Sequence, residues 1–377
     1  MVGKNVLEFK GSQYMRQRLI LSVVSGKPIK ITQIRAKEDN PGLTEYEANL
    51  LRLLDKLTNG TWLEVSETGT AFSFSPGALI GGTLTHECCK LRGIGYYLEV
   101  LMALAPFCKK PLSIILRGVT CNQKDPSVDS FKQGALPVLR RFMVIDPGLE
   151  LTIKKRGVEP LGGGEVHFVC PSIKQLKPIQ LKDWGKVKKV RGTMFALRVS
   201  PALANRMVES AKGVFLNFIP DVFFTVDHLK GQAAGKSPGF GGSLYAETTD
   251  GVIFTSDCVS DCSAQSHSVP EDVGRNAAHA LLDEISCGGC VDSAFQSLAC
   301  LYMALTSKDV SKCVTGPLTP YTIKFLQHLR EFFGLMFQLE PYRDPASDEF
   351  DQDDNRLRLG VNKVELTCVG IGYQKLV

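Results

Sequence analysis

Residues 156–166 read Arg-Gly-Val-Glu-Pro-Leu-Gly-Gly-Gly-Glu-Val, and the organisation of the chain is clearest when this stretch is taken first. A predicted strand stops at a proline and three consecutive glycines, and a second strand follows over 165–169. Glycine lets the backbone adopt conformations closed to other residues and admits close approach by another chain or a ligand. The stretch therefore predicts a special connection between two strands of one sheet.

The elements around this connection form a unit whose order recurs along the chain. Apolar periodicity predicts a helix over 93–105, a strand over 112–116 and a helix over 128–142, followed by the strand pair 149–154 and 165–169. The same order of helix, strand, helix, strand, strand is found over 14–74 and again over 294–370. Three copies of one unit predict three-fold internal pseudo-symmetry, although the copies share little sequence identity.

A different region separates the second and third copies. Its pattern predicts a strand over 193–199, a helix over 201–216, three short strands and a helix over 272–285. The predicted fold class is therefore mixed α/β (α+β). We expect a three-repeat core made of residues 1–188 and 287–377, and a smaller inserted α/β domain over 189–286.

Composition narrows the classes of protein to consider. Hydrophobic residues make up 44% of the 377 residues and charged residues 22%, as in a soluble globular protein. The chain has no apolar run long enough for a membrane span and no secretory signal pattern, so we expect no membrane association. Twelve cysteines then indicate reduced thiols in the cytosol or nucleus. The net charge of +5 permits contact with nucleic acid without requiring it.

Several short blocks resemble signatures of the RNA 3′-terminal phosphate cyclase family. The opening Gly-Ser-Gln-Tyr-Met-Arg of residues 11–16 is similar to the family's Glu-Gly-Gly-Gly-Gln-Ile-Leu-Arg, and the glycine tract of 156–166 matches another signature. Residues 34–43 and 117–129 fit the blocks between them. The resemblance runs over nearly the whole chain. It implies that each repeat resembles the C-terminal domain of a translation initiation factor.

The same resemblance implies that the enzymes' nucleophile is missing. Those enzymes join a nucleotide to a histidine through a phosphoramidate bond, within a Gly-Glu-His-Leu-Ala-Asp-Gln-Leu block. The matching residues 291–298 place Ser293 at the histidine position, and the nearest histidine in sequence, His279, lies on another predicted helix. Phe9 stands at an acidic position of the enzymes, and Lys10 replaces their first glycine. We therefore expect a noncatalytic protein without a cofactor.

Groups that attract phosphate are retained. Arginine binds phosphate in a bidentate fork, so it can serve in binding after the chemistry is lost. We expect phosphate or RNA to be bound by residues spread over the first two repeats and the inserted domain: Gln13, Arg16, Arg35, Arg117, Lys124, Arg156 and Lys236.

Residues 39–43, 91–99 and 235–241 resemble the cyclase-like branch of the family in particular. That branch resembles a ribosome-biogenesis factor of eukaryotic nucleoli. The resemblance implies action in 18S pre-rRNA processing and 40S subunit assembly, within the small-subunit processome of the nucleus and nucleolus. The expected partners are a ribosome-assembly GTPase, the pre-rRNA and the U3 snoRNP-containing pre-ribosome.

Two enzymatic alternatives stay open from the residues alone. An endonuclease that cleaves pre-rRNA would need converging carboxylates for metal ions, and Asp125, Asp129 and Asp292 are the candidates. A surviving cyclase would need a substitute nucleophile such as Cys290 or Ser293. The sequence does not show whether the three carboxylates converge.

Three further features of the sequence are interpreted as structural rather than as catalytic or metal-binding sites. Residues 235–237, Gly-Lys-Ser, lack the earlier glycine of a phosphate-binding loop because position 230 is lysine, so they predict a connection between strands with Lys236 near an anion. His328 is predicted to face solvent or a partner. The cysteine pairs could hold zinc, but their spacing favours reduced thiols, so no metal is expected: Cys258, Cys262, Cys287 and Cys290.

Overall fold

The computed structural model of the protein describes residues 6–144, 148–261, 268–342 and 362–374. It shows helices packed on several mixed sheets, which confirms the predicted mixed α/β class. Three four-stranded sheets share one arrangement, in which the first two strands are parallel and the last two form an antiparallel pair returning beside the second strand. The division of the chain into two domains stays a prediction.

The first sheet has the order β1-β2-β5-β4, with helices α1 and α2 as its crossovers. Helix α2 forms because leucines recur on one face and are buried, while the Glu47 carboxylate accepts the Thr44 N–H at 2.9 Å at its start. Helix α1 ends at Gly26, which has φ of 70°. The elements are β1 Leu7–Lys10, α1 Met15–Ser25, β2 Ile29–Thr32, α2 Glu45–Leu57, β3 Thr58–Asn59, β4 Trp62–Val65, β5 Phe72–Ser75 and β6 Ala78–Leu79.

The second sheet has the order β7-β8-β10-β9. The helix predicted over 128–142 is interrupted by a π-helical turn, Phe131–Ala135, between α4 and α5. This turn places Gly134 directly against the ring of Phe295, where a side chain would not fit. The elements are β7 Gly82–Glu87, α3 Ile94–Leu104, β8 Leu112–Gly118, α4 Val128–Ser130, α5 Leu136–Phe142, β9 Glu150–Lys155 and β10 Gly164–Cys170.

The inserted region forms a sheet of a different order, β13-β12-β14-β15, with two long helices packed against it and against each other. A short strand, β11 Gln180–Leu181, precedes it and pairs with the third repeat. The elements are β12 Val187–Leu197, α6 Pro201–Phe215, β13 Val222–Leu229, β14 Gly239–Thr248, β15 Ile253–Val259 and α7 Pro270–Cys287.

The third sheet has the order β11-β16-β18-β17. Its helix α8 is buried along its whole length, and the Tyr302 hydroxyl donates to the Met102 carbonyl of α3 at 2.9 Å. Buried apolar residues from all four sheets form one large contiguous core. The elements are α8 Gln296–Leu305, β16 Val310–Thr315, α9 Pro320–Phe333, β17 Gln338–Pro341 and β18 Val364–Val369.

Eleven of the twelve cysteines are described, and all are thiols rather than disulfides. Nine are buried, and Cys258 and Cys287 are half-buried. Cys262, one member of the alternative zinc set, lies outside the described residues. Within the described ranges no three His, Cys, Asp or Glu side chains are grouped as metal ligands. The same residues include no helix that is long and apolar enough to cross a bilayer.

Candidate functional site

Ser293 lies between α7 and α8, at the start of a single 3-10 turn. Its backbone N–H donates to Glu284 Oε1 at 2.7 Å, and its hydroxyl donates to Glu284 Oε2 at 2.8 Å. Among the five histidines that the structure describes, none hydrogen-bonds Ser293. The position that the resemblance assigns to the nucleophile therefore holds a hydroxyl bound to a carboxylate of α7.

Asp292 is buried beside this serine. Its Oδ2 accepts the N–H and the hydroxyl of Thr255 at 2.5 and 2.8 Å, and its Oδ1 accepts the Ala294 N–H at 2.8 Å. Burial, together with the charge of Glu284, raises the pKa of Asp292 from 3.8 to about 7. Asp292 thus joins α8 to strand β15 of the inserted region and caps the turn that begins α8.

A polar cleft with a volume of about 610 Å³ opens next to this position. We call it the central cleft. Residues 122–130 form one wall, β15 and α7 form another, and Ala294 lies between them. Lys124 is exposed at its edge, and no carboxylate of the described chain lies within ion-pair distance of its ammonium.

Asp125 lines the central cleft but is already paired. It accepts from Arg92 Nε at 2.8 Å and from the Gly93 N–H at 3.0 Å. The Arg92 guanidinium lies 4.6 Å from the centroid of the Tyr96 ring, and the Arg16 guanidinium lies 4.4 Å from it. This arrangement places two cations against one aromatic ring at the base of α3.

The arginines predicted to bind phosphate are engaged by carboxylates. Arg16 pairs with Glu99 at 2.6 Å. Arg35 makes a bidentate pair with Glu47 at 2.8 and 2.6 Å. Arg117, which is half exposed, contacts Glu165 at 2.8 Å and Glu87 at 3.1 Å. Phosphate binding by these side chains stays a prediction, since each would exchange an existing partner.

Arg156 is buried at the end of the strand that precedes the glycine tract. Its guanidinium makes two bonds to Asp129, at 2.6 and 3.0 Å, and one to Asp227 at 2.8 Å. It also lies over the ring of Phe195, 5.2 Å from the centroid. Arg156 therefore joins the second repeat to the inserted sheet.

The glycine tract is packed closely against its neighbours. A Cβ on Gly164 would lie 2.6 Å from Thr120 Cγ2, and Gly163 has φ of 86°. The Lys236 N–H donates to the Gly162 carbonyl at 2.8 Å, so the connection between β13 and β14 lies on the tract. The predicted connection around Gly235-Lys236-Ser237 is confirmed, and the Lys236 side chain is exposed.

The carboxylates proposed for an endonuclease are held by different partners. Asp125 binds Arg92, Asp129 binds Arg156, and Asp292 binds Thr255. Metal-assisted cleavage needs carboxylates that converge on one ion. In the described part of the chain these three do not form such a group.

A second cleft, also of about 610 Å³, was not anticipated from the sequence as one site. We call it the basic cleft. Gln13 and Arg35 line it, as does Arg18, and Lys324 reaches it from α9. The sequence offered one signal for this cleft, which is the lysine at position 10 in place of the family's glycine. The other cations come from segments far apart in the chain, so their convergence could not be predicted. The seven predicted binding residues are therefore not brought together: Gln13 and Arg35 line the basic cleft, Lys124 lines the central cleft, Arg16 packs against Tyr96, Arg117 lies on a sheet face, Arg156 is at its junction and Lys236 lies on the glycine tract.

These features define a mixed α/β protein built of similarly ordered sheets, with one polar cleft beside the inserted region and a second lined by the N-terminal segment and α9. The chain belongs to the RNA 3′-terminal phosphate cyclase family, because the family model of that description matches residues 7–339. This confirms the family expected from the sequence blocks.

Among the curated relatives that this chain resembles, two carry cyclase-like names and a third is named for rRNA processing. It is 54% identical over 376 residues to a probable RNA 3′-terminal phosphate cyclase-like protein of Drosophila melanogaster, covering 99% of this chain and 97% of the relative. The human RNA 3′-terminal phosphate cyclase-like protein is 53% identical over 371 residues, covering 98% and 97%. The rRNA processing protein rcl1 of Schizosaccharomyces pombe is 41% identical over 368 residues, covering 97% and 96%.

Proposed function

We propose that this chain is a noncatalytic member of its family that acts in rRNA processing. The observation that carries the proposal is the Ser293–Glu284 pair at the nucleophile position of the cyclase resemblance. The rRNA processing relative of fission yeast, with 41% identity over almost the full length of both chains, supports the process.

Serine is a poor replacement for histidine in this chemistry. A nucleotide on an imidazole nitrogen is a phosphoramidate that transfers readily to another phosphate, whereas a nucleotide on a serine oxygen is a stable phosphate ester. The Ser293 hydroxyl donates to the Glu284 carboxylate, which could accept its proton, but no described histidine hydrogen-bonds Ser293, so the imidazole nitrogen that forms the phosphoramidate has no counterpart here. This geometry supports binding without nucleotide transfer.

The more specific proposal is that the protein takes part in 18S pre-rRNA processing and 40S subunit assembly. It would act in the small-subunit processome of the nucleolus as a scaffold that contacts pre-rRNA, the U3 snoRNP-containing pre-ribosome and a ribosome-assembly GTPase. Support comes from the retained cationic side chains and from the cyclase-like branch to which the named relatives correspond.

Complementation tests this proposal. In fission yeast depleted of rcl1, we expect this chain to restore the level of mature 18S rRNA and to remove its accumulated precursors, as measured by northern blotting. Ser293→Ala should restore them equally, because the hydroxyl has no chemical role. Failure of the unmodified chain to complement, despite normal expression, would contradict the assignment to rRNA processing.

Nucleotide labelling tests the absence of cyclase chemistry. Incubation with ATP or GTP labelled at the α-phosphate should leave no radioactivity on the denatured protein. A covalent nucleotide that disappears in Ser293→Ala or in Cys290→Ser would show a surviving nucleophile.

The endonuclease alternative is tested separately on a pre-rRNA fragment with Mg²⁺ present. We expect no cleavage above that of a heat-denatured sample. Cleavage that disappears in Asp129→Asn or Asp292→Asn, with the fold retained by circular dichroism, would establish the endonuclease in place of the scaffold.

A further inference from the structure

Arg18 is a buried cation without an anionic partner among the described residues. Only 6% of its surface is exposed, and no carboxylate of the described chain lies within ion-pair distance of its guanidinium. Its contacts are neutral: the Gly11 carbonyl accepts from Nη1 at 2.9 Å, and the ring of Phe9 lies 4.6 Å away. A buried charge is costly unless it is paired, so an anion bound beside this arginine would be stabilised.

The neighbouring histidine does not supply one. Arg18 Nε donates to His328 Nε2 at 3.5 Å, and His328 Nδ1 lies 3.0 Å from Gln17 Oε1. Burial, with the charges of Arg18 and Lys324, lowers the pKa of His328 to about 3, so the ring is neutral at physiological pH. Within the described residues, the carboxylate that acts on Arg18 is Glu331, at a longer range than an ion pair.

Arg18 lines the basic cleft, where three lysines converge with it. Lys10 and Lys37 are exposed, and Lys324 donates to the neutral Gln327 side chain at 3.0 Å. The one carboxylate among the described lining residues is Glu38, while Arg35 is neutralised by Glu47. The cleft is therefore strongly positive, and low-dielectric walls strengthen its attraction for anions.

The backbone around this cleft is held in uncommon conformations. In the described residues four non-glycine positions have positive φ, and three of them line the basic cleft: Tyr14, Gln33 and Arg35, at 58°, 57° and 45°. Each such position costs about 1–3 kcal/mol, and such strain concentrates at binding sites. This observation is independent of charge and marks the same cleft.

We propose that the basic cleft binds the phosphate groups of single-stranded RNA, with one phosphate paired to Arg18 and its neighbours to Lys10, Lys37 and Lys324. Several separated cations match a chain of phosphates better than a single phosphorylated side chain. Gln13, Gln33 and the half-buried Tyr14 line the same cleft, and their amides and ring would contact the bases. This inference rests on the proposed RNA-binding function and identifies a surface for it.

The first experiment separates the ligand role of Arg18 from a packing role. Inorganic phosphate should raise the unfolding temperature of the unmodified protein, because it pairs with the buried guanidinium. In Arg18→Gln the unfolding temperature without phosphate should not decrease, and the phosphate effect should disappear. A loss of stability that is equal with and without phosphate would show that Arg18 is structural only, and would overturn the proposal.

The second experiment measures binding of a fluorescein-labelled oligouridylate by anisotropy. Lys10→Glu/Lys37→Glu should weaken binding by about tenfold or more at low salt, and the salt slope should fall by roughly 0.7 for each phosphate that the protein no longer neutralises. The matched control is Lys90→Glu/Lys308→Glu, which changes net charge equally at exposed lysines outside the cleft and should retain the affinity.

Three outcomes would overturn the proposal. The two double variants could lose affinity equally, phosphate could bind while the oligouridylate does not, or a phosphoserine peptide could compete far better than RNA. Failure here is distinguishable from failure of the proposed function, because complementation in fission yeast does not depend on which surface contacts RNA.

Discussion

At the scale of single residues, two buried titratable groups should give the protein opposite responses to pH. Burial raises the pKa of the Asp292 carboxyl and lowers the pKa of the His328 imidazole, since both environments favour the neutral form. A shifted pKa in the folded state makes stability depend on pH. Each group can be removed by a substitution that leaves a similar shape.

Asp292→Asn should flatten one part of the stability profile. The folded pKa of Asp292 lies above its unfolded value, so the proton it binds stabilises the protein fully below about pH 4, and this contribution is lost as the pH rises to about 7. As the pH falls through this range, the free energy of unfolding of the unmodified protein should rise relative to that of the variant, by up to about 1.4 kcal/mol per pH unit. Urea unfolding at several pH values measures the difference, and a constant difference would contradict it.

His328→Gln should change the profile in the opposite direction. The folded pKa of about 3 lies below the ordinary value of 6.5, so the unmodified protein loses stability as the pH falls from 6.5 toward 3. The variant has no imidazole to protonate, so its free energy of unfolding should fall less over the same pH range. The same urea titrations test this, and an equal acid loss in both proteins would rule out His328 as a cause.

At the scale of elements, a helix could be predicted where the residues that specify it all lie in one segment of the chain. The leucines of α2 and the proline that begins α9 fix those helices locally. Strand β7 was missed because its sequence, Gly-Thr-Leu-Thr-His-Glu, is mostly polar and gains its pairing only from β8. The π-helical turn was missed because its contact with the ring of Phe295, 161 positions from Gly134, is not visible in the local sequence pattern.

The crossing of α6 and α7 offers a test with its own control. A Cβ on Gly274 of α7 would collide with the backbone of Met207 in α6, whereas one on Gly213 of α6 would meet nothing within 4 Å. Gly274→Ala should therefore destabilise the protein by roughly 1–3 kcal/mol. Gly213→Ala should stabilise it by about 0.5–1 kcal/mol, because alanine restricts the unfolded chain and favours helix. Thermal and chemical unfolding would measure both, and similar effects would disprove close packing at Gly274.

At the scale of the whole molecule, the sites depend on contacts between distant parts of the chain. His328 was predicted to face solvent or a partner, and this was wrong: it is 1% exposed and contacts Arg18, 310 positions away. The sequence blocks located Ser293 and Arg156, but not the carboxylates that hold them. Packing between the units of the fold determines which carboxylates pair with these residues. The periodicity of a local segment carries no information about that packing.

Arg156 tests how the units are joined. Arg156→Met would leave Asp129 and Asp227 without their shared cation, and we expect a loss of about 3–5 kcal/mol. Hydrogen exchange should increase in both β9 and β13. Arg117→Met removes ion pairs on an open sheet face and should change stability little. Equal effects of the two substitutions would mean that Arg156 does not join the units.

The cysteines give this fold a built-in set of reporters. Burial raises the pKa of Cys290, Cys300 and Cys368 to about 12, so their thiolate fraction at neutral pH is minute. Alkylation of any of them requires the surrounding segment to open. Mass spectrometry of iodoacetamide-treated protein would therefore rank the segments by their opening rates, using only native side chains, and would show which unit loosens first when a partner or an RNA is added.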